Sequence, residues 1–362
     1  MSKYSEILRA GKNKRFEDAK RMISEFERNC IDLNKPEKPT FKYMMTCLEV
    51  YLLNKKYEEA LATIELIENF WEASLNNKKQ ISNDHRYSKI ALAKIACLIH
   101  ADEHKSALDE IKKLDSLVLK NVDILNFAMM FLNKDSLIES SYCYEQFFLK
   151  DVLNFEAVCS YTDFLYKSNK ARKVAPFVID KFLLIQDYIE SIDYVCCVCG
   201  YLLENSRDDE VVEIYDFLYN EIETGNRTEL LNQNPQTHID LLRIGFEASY
   251  FNNDDGKMLD IGKEICERYA DNDPDCVEPR FYCMMAETYY YINTPNKVLT
   301  SELCLDYLDK AMIGYSQILI TEKEVDPYII TQKIGKISII MDQIREGRDI
   351  DWKTAELWLR CE

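Results

Sequence analysis

Glycine, proline and histidine are scarce in this sequence, whose 362 residues include nine Gly, eight Pro and four His. Barrels and sandwiches need many turn-forming Gly and Pro residues, so this composition argues against them and favours helices. The sequence also contains no G-x-S-x-G, P-loop or G-x-G-x-x-G pattern, which are signatures of serine hydrolases and nucleotide-binding proteins. Four histidines provide little material for acid–base chemistry. We therefore expect an all-helical protein that is not an enzyme and needs no cofactor.

Long apolar runs are absent as well. No stretch of about 18 apolar residues is available to span a bilayer. The first 16 residues, MSKYSEILRAGKNKRF, lack the apolar core of a secretory signal. The 13 Cys are spread through helical segments without paired spacing. We expect a cytoplasmic protein with no membrane partner, in which reduced cysteines serve as small apolar fillers.

Basic residues are outnumbered, since 45 Lys and Arg face 63 Asp and Glu, which gives a net charge of −18. Binding to a nucleic-acid backbone requires clustered Lys and Arg, so we expect no nucleic-acid partner. The balance is uneven, because residues 1–56 carry 13 Lys or Arg against 8 Asp or Glu, a net of +5. This basic segment is either a contact patch or the solvated face of ordinary helices.

Helical periodicity is what the sequence does contain, and it is clearest in Tyr51–Asn69, YLLNKKYEEALATIELIEN. The stretch predicts the end of one helix, a tight turn at Asn54-Lys55-Lys56, and the start of a second helix. In the second helix, apolar or aromatic residues recur three or four apart on one face. The small residue on that face suits the close approach of another helix. The residues of this face are Tyr57, Ala60, Ile64 and Ile67.

The same pattern recurs along the chain, which predicts a series of helical hairpins. We divide the chain into a basic hairpin over residues 1–39, helical repeats over residues 40–320 and capping helices over residues 321–362. The predicted pairs after the opening stretch are Tyr87–Ile99 with Lys105–Leu117, Asn121–Leu132 with Leu137–Phe148, Phe155–Tyr166 with Ala171–Leu184, Tyr188–Leu203 with Glu210–Glu223, Thr237–Tyr250 with Lys257–Tyr269, and Arg280–Tyr291 with Thr300–Leu319.

These hairpins resemble the tetratricopeptide repeat family. The resemblance implies a right-handed α-solenoid of about eight hairpins plus C-terminal capping helices, in which Gly or Ala lets paired helices lie close. It also implies a concave surface that binds a peptide or protein. The first-helix pattern is carried by Tyr282, Met285-Ala286 and Tyr289, by Cys196, Cys199-Gly200 and Leu203, and by Leu241, Ile244-Gly245 and Ala248; the second-helix pattern is carried by Tyr57/Ala60/Ile64, Phe16/Ala19/Ile23 and His104/Ala107/Ile111.

Three short patterns carry possible chemistry. His100-Ala101-Asp102-Glu103-His104 fits the H-x-x-E-H spacing of some zinc peptidases, but it lies across a predicted turn, where His104 takes the packing position of Tyr57. Cys196-Cys197-Val198-Cys199 contains a C-x-x-C in mid-helix, where core packing explains it better than redox or metal chemistry. Asp271–Asp275 begins like a calcium loop but lacks the required Gly and Glu, so we interpret it as a polar turn. No metal site is therefore expected.

The remaining candidate is a groove lined by the first helices of the hairpins. Aromatic residues together with an arginine are typical anchors for a peptide or a partner helix. The alternative is that these tyrosines are packed between repeats. The predicted partner-binding residues are Tyr194, Tyr201, Tyr250, Arg280, Glu287 and Tyr290.

The function that fits best is a protein-interaction scaffold or adaptor. One alternative is a regulatory sensor, in which the repeats bind a signalling peptide or small ligand while the basic segment contacts an effector protein. A remote alternative is a zinc metallohydrolase at His100, Glu103 and His104. The C-terminal segment that contains Trp352 and Trp358 is either a cap over the last repeat or an interaction tail. The sequence makes no prediction of oligomeric state.

Overall fold

The computed structural model describes residues 3–12, 16–32, 41–74, 85–114, 119–149, 154–270, 273, 276–291, 297–321, 326–348, 350 and 352. Within these residues all regular secondary structure is helical and no strand occurs. The predicted all-α class is thus confirmed. The chain separates into two compact units, Met1–Asn169 and Lys170–Glu362. The predicted boundaries near residues 39 and 320 stay a prediction.

Unit 1 is a series of helices in which most pack on a neighbour in sequence and several pack on the next but one. This alternation is that of a helical repeat, because each hairpin buries its apolar face against the hairpins beside it. The helices of unit 1 are α1 (Lys3–Lys12), α2 (Phe16–Asp32), α3 (Phe41–Leu53), α4 (Tyr57–Ser74), α5 (His85–His100), α6 (His104–Lys113), α7 (Asn121–Asn133), α8 (Leu137–Phe148) and α9 (Phe155–Lys167).

The stretch Tyr51–Asn69 has the predicted structure. Helix α3 ends at Leu53 and α4 begins at Tyr57, after a three-residue turn. On α4 the predicted face is buried, with Ala60, Ile64 and Ile67 at the centre of the core of the first hairpins. The 3.6-residue period determines this face, because residues three and four apart lie above one another on a helix.

The turn after α3 has a backbone geometry that recurs in later turns of the chain. Lys55 has φ of 55°, and the N–H groups of Lys56 and Lys55 donate to the carbonyls of Tyr51 and Leu52 at 2.9 and 3.1 Å. This left-handed closure satisfies carbonyls that the end of the helix leaves without partners. The repeated use of one turn keeps successive hairpins similar in shape. The other non-glycine residues with positive φ are Asp102, Asp135, Asn169, Ser206, Asn226 and Asn253.

Successive turns of unit 1 are also linked to each other by ion pairs. The Lys134 ammonium lies 2.8 Å from Asp102, and the Lys167 ammonium lies 3.2 Å from Asp135. In each case a lysine at the end of one first helix reaches the positive-φ aspartate of the preceding turn. The hairpins therefore stack in register, although exposed pairs of this kind contribute less than about 1 kcal/mol each.

Unit 2 has the same alternation of neighbours and adds two irregular pieces. The short helix α13 was not predicted, and α15 continues into a π-helical turn over Cys266–Ala270. Pro176 lies in the first turn of its helix, where proline is tolerated. The helices of unit 2 are α10 (Val174–Phe182), α11 (Tyr188–Glu204), α12 (Asp208–Thr224), α13 (Thr228–Asn232), α14 (Pro235–Phe251), α15 (Asp255–Ile265), α16 (Pro279–Tyr291), α17 (Lys297–Thr321) and α18 (Pro327–Arg345).

The two repeat glycines of unit 2 differ from the predicted packing in different ways. At Gly245 an added Cβ would meet the ring of Tyr215, so this glycine does permit a close approach, but the helix that approaches α14 there is α12 and not its predicted pair, α15. At Gly200 an added Cβ would meet nothing within 4 Å among the described residues. Gly200 is therefore not a close-approach position, because the side of α11 on which it lies has no neighbour that near.

None of the described helices combines the length and the apolar character needed to cross a lipid bilayer.

His238 links stability to pH in unit 2. It is buried in α14, and its Nδ1 lies 2.6 Å from the Tyr269 hydroxyl. Burial, together with the nearby charge of Arg268, lowers the pKa of His238 from 6.5 to about 4. The neutral ring is therefore favoured by folding.

The expected result is a loss of stability as the pH falls. The unfolded chain binds the His238 proton near pH 6.5, whereas the folded chain binds it near pH 4, so acid stabilises the unfolded state between these values. Between pH 6.5 and 5.5 this group alone should lower the free energy of unfolding by about 1 kcal/mol. Urea unfolding at several pH values measures the slope. His238→Gln should have a shallower slope than wild type, and equal slopes would contradict the prediction.

Candidate binding groove

A concavity lies in unit 2, between the second half of α17, the start of α16 and α14. It has a volume of about 550 Å³, which is within the usual range for ligand clefts. We call it the α17 groove. Its lining residues are Arg243, Cys276, Val277, Glu278, Pro279, Tyr282, Lys310, Ile313, Gly314, Gln317, Ile318 and Thr321.

Helix α17 contributes one continuous face to this groove. Its lining positions recur at helical spacing over three turns from Lys310 to Thr321, which is the pattern of a helix face that packs on a partner. Ile313, near the middle of this face, is 59% exposed. Next to it, a Cβ on Gly314 would lie 2.8 Å from Cγ of Pro279. The small residue thus lets the first residue of α16 lie directly against α17.

An ion-pair network connects two lining residues of the groove, Arg243 and Glu278, to the buried residue Arg280. The Arg280 guanidinium, 6% exposed, donates to Glu247 and, at 2.7 Å from Nε, to Glu278. Glu278 also accepts from Arg243 at 2.8 Å. Burial by itself would lower the pKa of Arg280, but the two carboxylates outweigh burial and raise it. The network therefore holds a charged arginine inside unit 2 and positions Arg243 at the groove.

A second polar contact joins α14 and α16. The Tyr250 hydroxyl donates to Glu287 at 2.5 Å. Burial, followed by the charge of Glu287, raises the pKa of Tyr250. The phenol therefore stays protonated at neutral pH and remains a donor. Tyr250 and Glu287 are two of the predicted partner-binding residues, and here they contact each other.

The other predicted residues are distributed along unit 2. Tyr194 and Tyr201 lie half-buried on α11. The hydroxyl of Tyr290 accepts from the Ile350 N–H at 3.3 Å, and its ring lies 5.8 Å from that of Trp352. The structure thus brings Tyr250 together with Glu287, and places Arg280 in the network behind the groove. The described lining of the α17 groove contains none of the six predicted residues, Tyr194, Tyr201, Tyr250, Arg280, Glu287 and Tyr290.

Sequence reasoning missed the residues that do form the groove, above all Arg243, Lys310 and Ile313. The sequence did contain a signal for this groove. On α17, Lys310, Ile313, Gln317 and Thr321 recur at helical spacing and so lie on one face of the helix. The sequence alone could not tell which of its faces lacks a neighbour, because that depends on how α16 and α18 pack on α17.

The H-x-x-E-H pattern is divided between the two helices of one hairpin of unit 1. Helix α5 ends at His100 and α6 begins at His104. The ring of His100 stacks on Tyr57 with 4.2 Å between centroids, whereas Nδ1 of His104 hydrogen-bonds to the Ser136 hydroxyl. The two imidazoles therefore contact different neighbours. Among the described residues no group of three His, Cys, Asp or Glu side chains is placed to hold a metal ion.

The C-x-x-C pattern lies inside α11, as predicted. Cys196 and Cys199 are buried, and burial raises the pKa of both thiols, so neither is a ready nucleophile. Their interpretation as core residues is confirmed. Of the calcium-like stretch only Asp273 belongs to the described residues.

One of the two tryptophans of the predicted C-terminal cap belongs to the described residues. Trp352 is fully buried and lies against Tyr290 at the end of α16, and the choice between a cap and an interaction tail stays a prediction. Trp358 lies outside the described residues.

No protein-family model matches this chain, and no curated protein is significantly similar to it. Any assignment of function must therefore come from the groove and from its physical chemistry.

Proposed function

We propose that this protein is a non-enzymatic binding module that holds a peptide or protein partner in the α17 groove. In this proposal the two units are formed by tetratricopeptide-like hairpins, about eight in number, in a right-handed solenoid with capping helices at the C-terminus. The single observation that carries the proposal is the three-turn face of α17 that lines the groove and carries Ile313, 59% exposed, near its middle.

The composition of the groove supports a macromolecular partner. Apolar surface from Val277, Pro279, Ile313 and Ile318 lies in the lining of the groove together with the polar groups of Arg243 and Lys310. Grooves of this kind accept an amphipathic helix or an extended segment, whose apolar anchors fill the cleft while polar groups set its orientation. The exposed Ile313 is the natural anchor contact, because burying it on binding would remove apolar area from water.

The test is a matched pair of isoleucine substitutions. Ile313 in the groove and Ile339 on α18 are 59% and 60% exposed, and Ile339 does not line the groove. We expect Ile313→Asp to lose most partner protein in affinity purification from the native host, because a carboxylate in an apolar contact must be desolvated. Ile339→Asp should retain the partner.

Quantitative mass spectrometry of the two purifications gives the comparison, and circular dichroism checks that both variants fold. Equal recovery of every associated protein by wild type and Ile313→Asp would refute the assignment of partner binding to the groove.

A further inference from the structure

The charged side chains in the lining of the α17 groove are each paired with an opposite charge of the same protein. Glu278 accepts from Arg243 Nη2 at 2.8 Å through Oε1, and from Arg280 Nε at 2.7 Å through Oε2. Arg243 also lies 3.5 Å from Asp240. The charges on this side of the groove are therefore matched without any contribution from a partner.

Lys310, the lining cation of α17, is engaged in the same way. Its Nζ lies 3.3 Å from Asp306 and 5.3 Å from the centre of the Tyr307 ring. Both of these residues belong to the preceding helical turn, so the helix itself brings them to the lysine. The lining and the residues paired with it hold three cations and four carboxylates, counting the buried pair of Arg280 and Glu247. The groove therefore carries almost no net charge.

Paired charges of this kind disfavour a charged partner side chain of either sign. A carboxylate that approaches Lys310 also approaches Asp306. An ammonium that approaches Glu278 also approaches Arg243 and Arg280. In both cases repulsion offsets much of the attraction, while the incoming charge still loses part of its hydration. An uncharged apolar side chain has no such cost.

The apolar part of the lining suits a helix of the partner. The lining residues of α17 recur at spacings of three and four from Lys310 to Thr321, which forms a ridge beside which the ridges of a second helix can pack. Ile313, 59% exposed, lies near the middle of this row, and Ile318 and Pro279 add apolar surface to the same lining. Burying the exposed isoleucine against a partner helix removes apolar area from water.

We propose that the α17 groove binds a helix of a protein partner through an apolar face that carries no charged residue. The apolar side chains of this face pack on Ile313, Ile318 and Pro279, and the charge-matched lining excludes Asp, Glu, Lys and Arg from the contact positions. This inference rests on the proposed function and specifies the chemistry of its partner. The affinity then comes from buried apolar area, and not from ion pairs that salt would screen.

The first experiment selects peptides from a random display library against the full chain at physiological ionic strength. Selection on wild type and counter-selection on Ile313→Asp isolates the peptides that need the groove. We expect these peptides to carry uncharged apolar residues three and four apart, with charged residues confined to the other positions. Enrichment of charged residues of either sign within the apolar row, or of peptides without helical spacing, would overturn the inference while leaving the proposed function intact. Selection of no Ile313-dependent peptide would overturn both.

The second experiment measures one selected peptide by fluorescence anisotropy. Raising NaCl from about 50 to about 500 mM should change its affinity by less than about twofold, because no ion pair with the partner is screened. Glu or Lys in place of one apolar contact residue of the peptide should each weaken binding by about tenfold or more. The same replacements on the opposite face of the peptide are the matched control and should change little. Tighter binding with either charge at the contact position, or a loss of about tenfold in affinity at the higher salt, would also overturn the inference.

Discussion

Replacing Arg280 with methionine is expected to lower the free energy of unfolding by about 3–5 kcal/mol, the largest effect we predict for a single side chain. Methionine removes the buried guanidinium that donates to Glu247 and Glu278. Glu247, 8% exposed, would then keep its charge without the guanidinium of Arg280, or take up a proton at a cost in stability. The measurement is urea unfolding followed by circular dichroism.

Two further variants separate the ion pair from the loss of packing. Arg280→Met combined with Glu247→Leu removes both charges, so it should recover a large part of the stability lost in the single variant. Arg345→Met removes an exposed arginine that pairs with Asp342 at 3.2 Å, and should change stability by less than about 0.5 kcal/mol. If Arg280→Met were as mild as Arg345→Met, the network would not be a stabilising element.

The second large effect concerns the contact between α14 and α12. Gly245→Ala is expected to lower the free energy of unfolding by about 2–3 kcal/mol, because its Cβ would lie 2.4 and 2.6 Å from ring carbons of Tyr215. Tyr215 is buried, and its rigid ring has little space to move. The helices must separate or the ring must adopt a strained rotamer, and either change disrupts close packing.

Gly200→Ala is the matched control, because Gly200 lies in the middle of α11 with no described atom within 4 Å of an added Cβ. Alanine favours helix over glycine by up to about 1 kcal/mol, so this variant should be slightly more stable than wild type. Thermal and urea unfolding should therefore show a lower free energy of unfolding for Gly245→Ala and a slightly higher one for Gly200→Ala. Destabilisation by both substitutions would mean that helix α11 is also closely packed at Gly200.

The Arg280 variants and the glycine variants both test contacts between distant residues. The sequence predicts such contacts less well than it predicts helices. The pair Asn121–Leu132 and Leu137–Phe148 was predicted within one residue of α7 and α8, because helical periodicity and turn residues are local signals. Short α13 was missed, since five residues are too few to show a period. Gly200 and Gly245 occupy equivalent positions in the repeat pattern, so the sequence alone could not distinguish the packed glycine from the open one.

The candidate site was less accessible to sequence reasoning than the helices were. Arg280 is predicted from the sequence as a partner-binding residue of a first helix, but in the structure it is buried, and its contact with Glu247 joins residues 33 positions apart. Such a pair follows from the packing of α14 against α16, and no local pattern reports it. The α17 groove depends in the same way on what lies beside α17, and its lining comes from three separate elements.

The sequence by itself determined the all-helical class, the positions of most helices, the buried face of α4 and the packing role of Cys196 and Cys199. All of these follow from residues close together in the chain, through helical period and side-chain character. Only the tertiary structure decided that the chain forms two compact units, that Gly245 but not Gly200 permits close approach, and that α17 leaves one face open beside Arg243. The reason is that each of these depends on which distant helix occupies the space next to a given face, and that choice minimises the free energy of the whole packed unit.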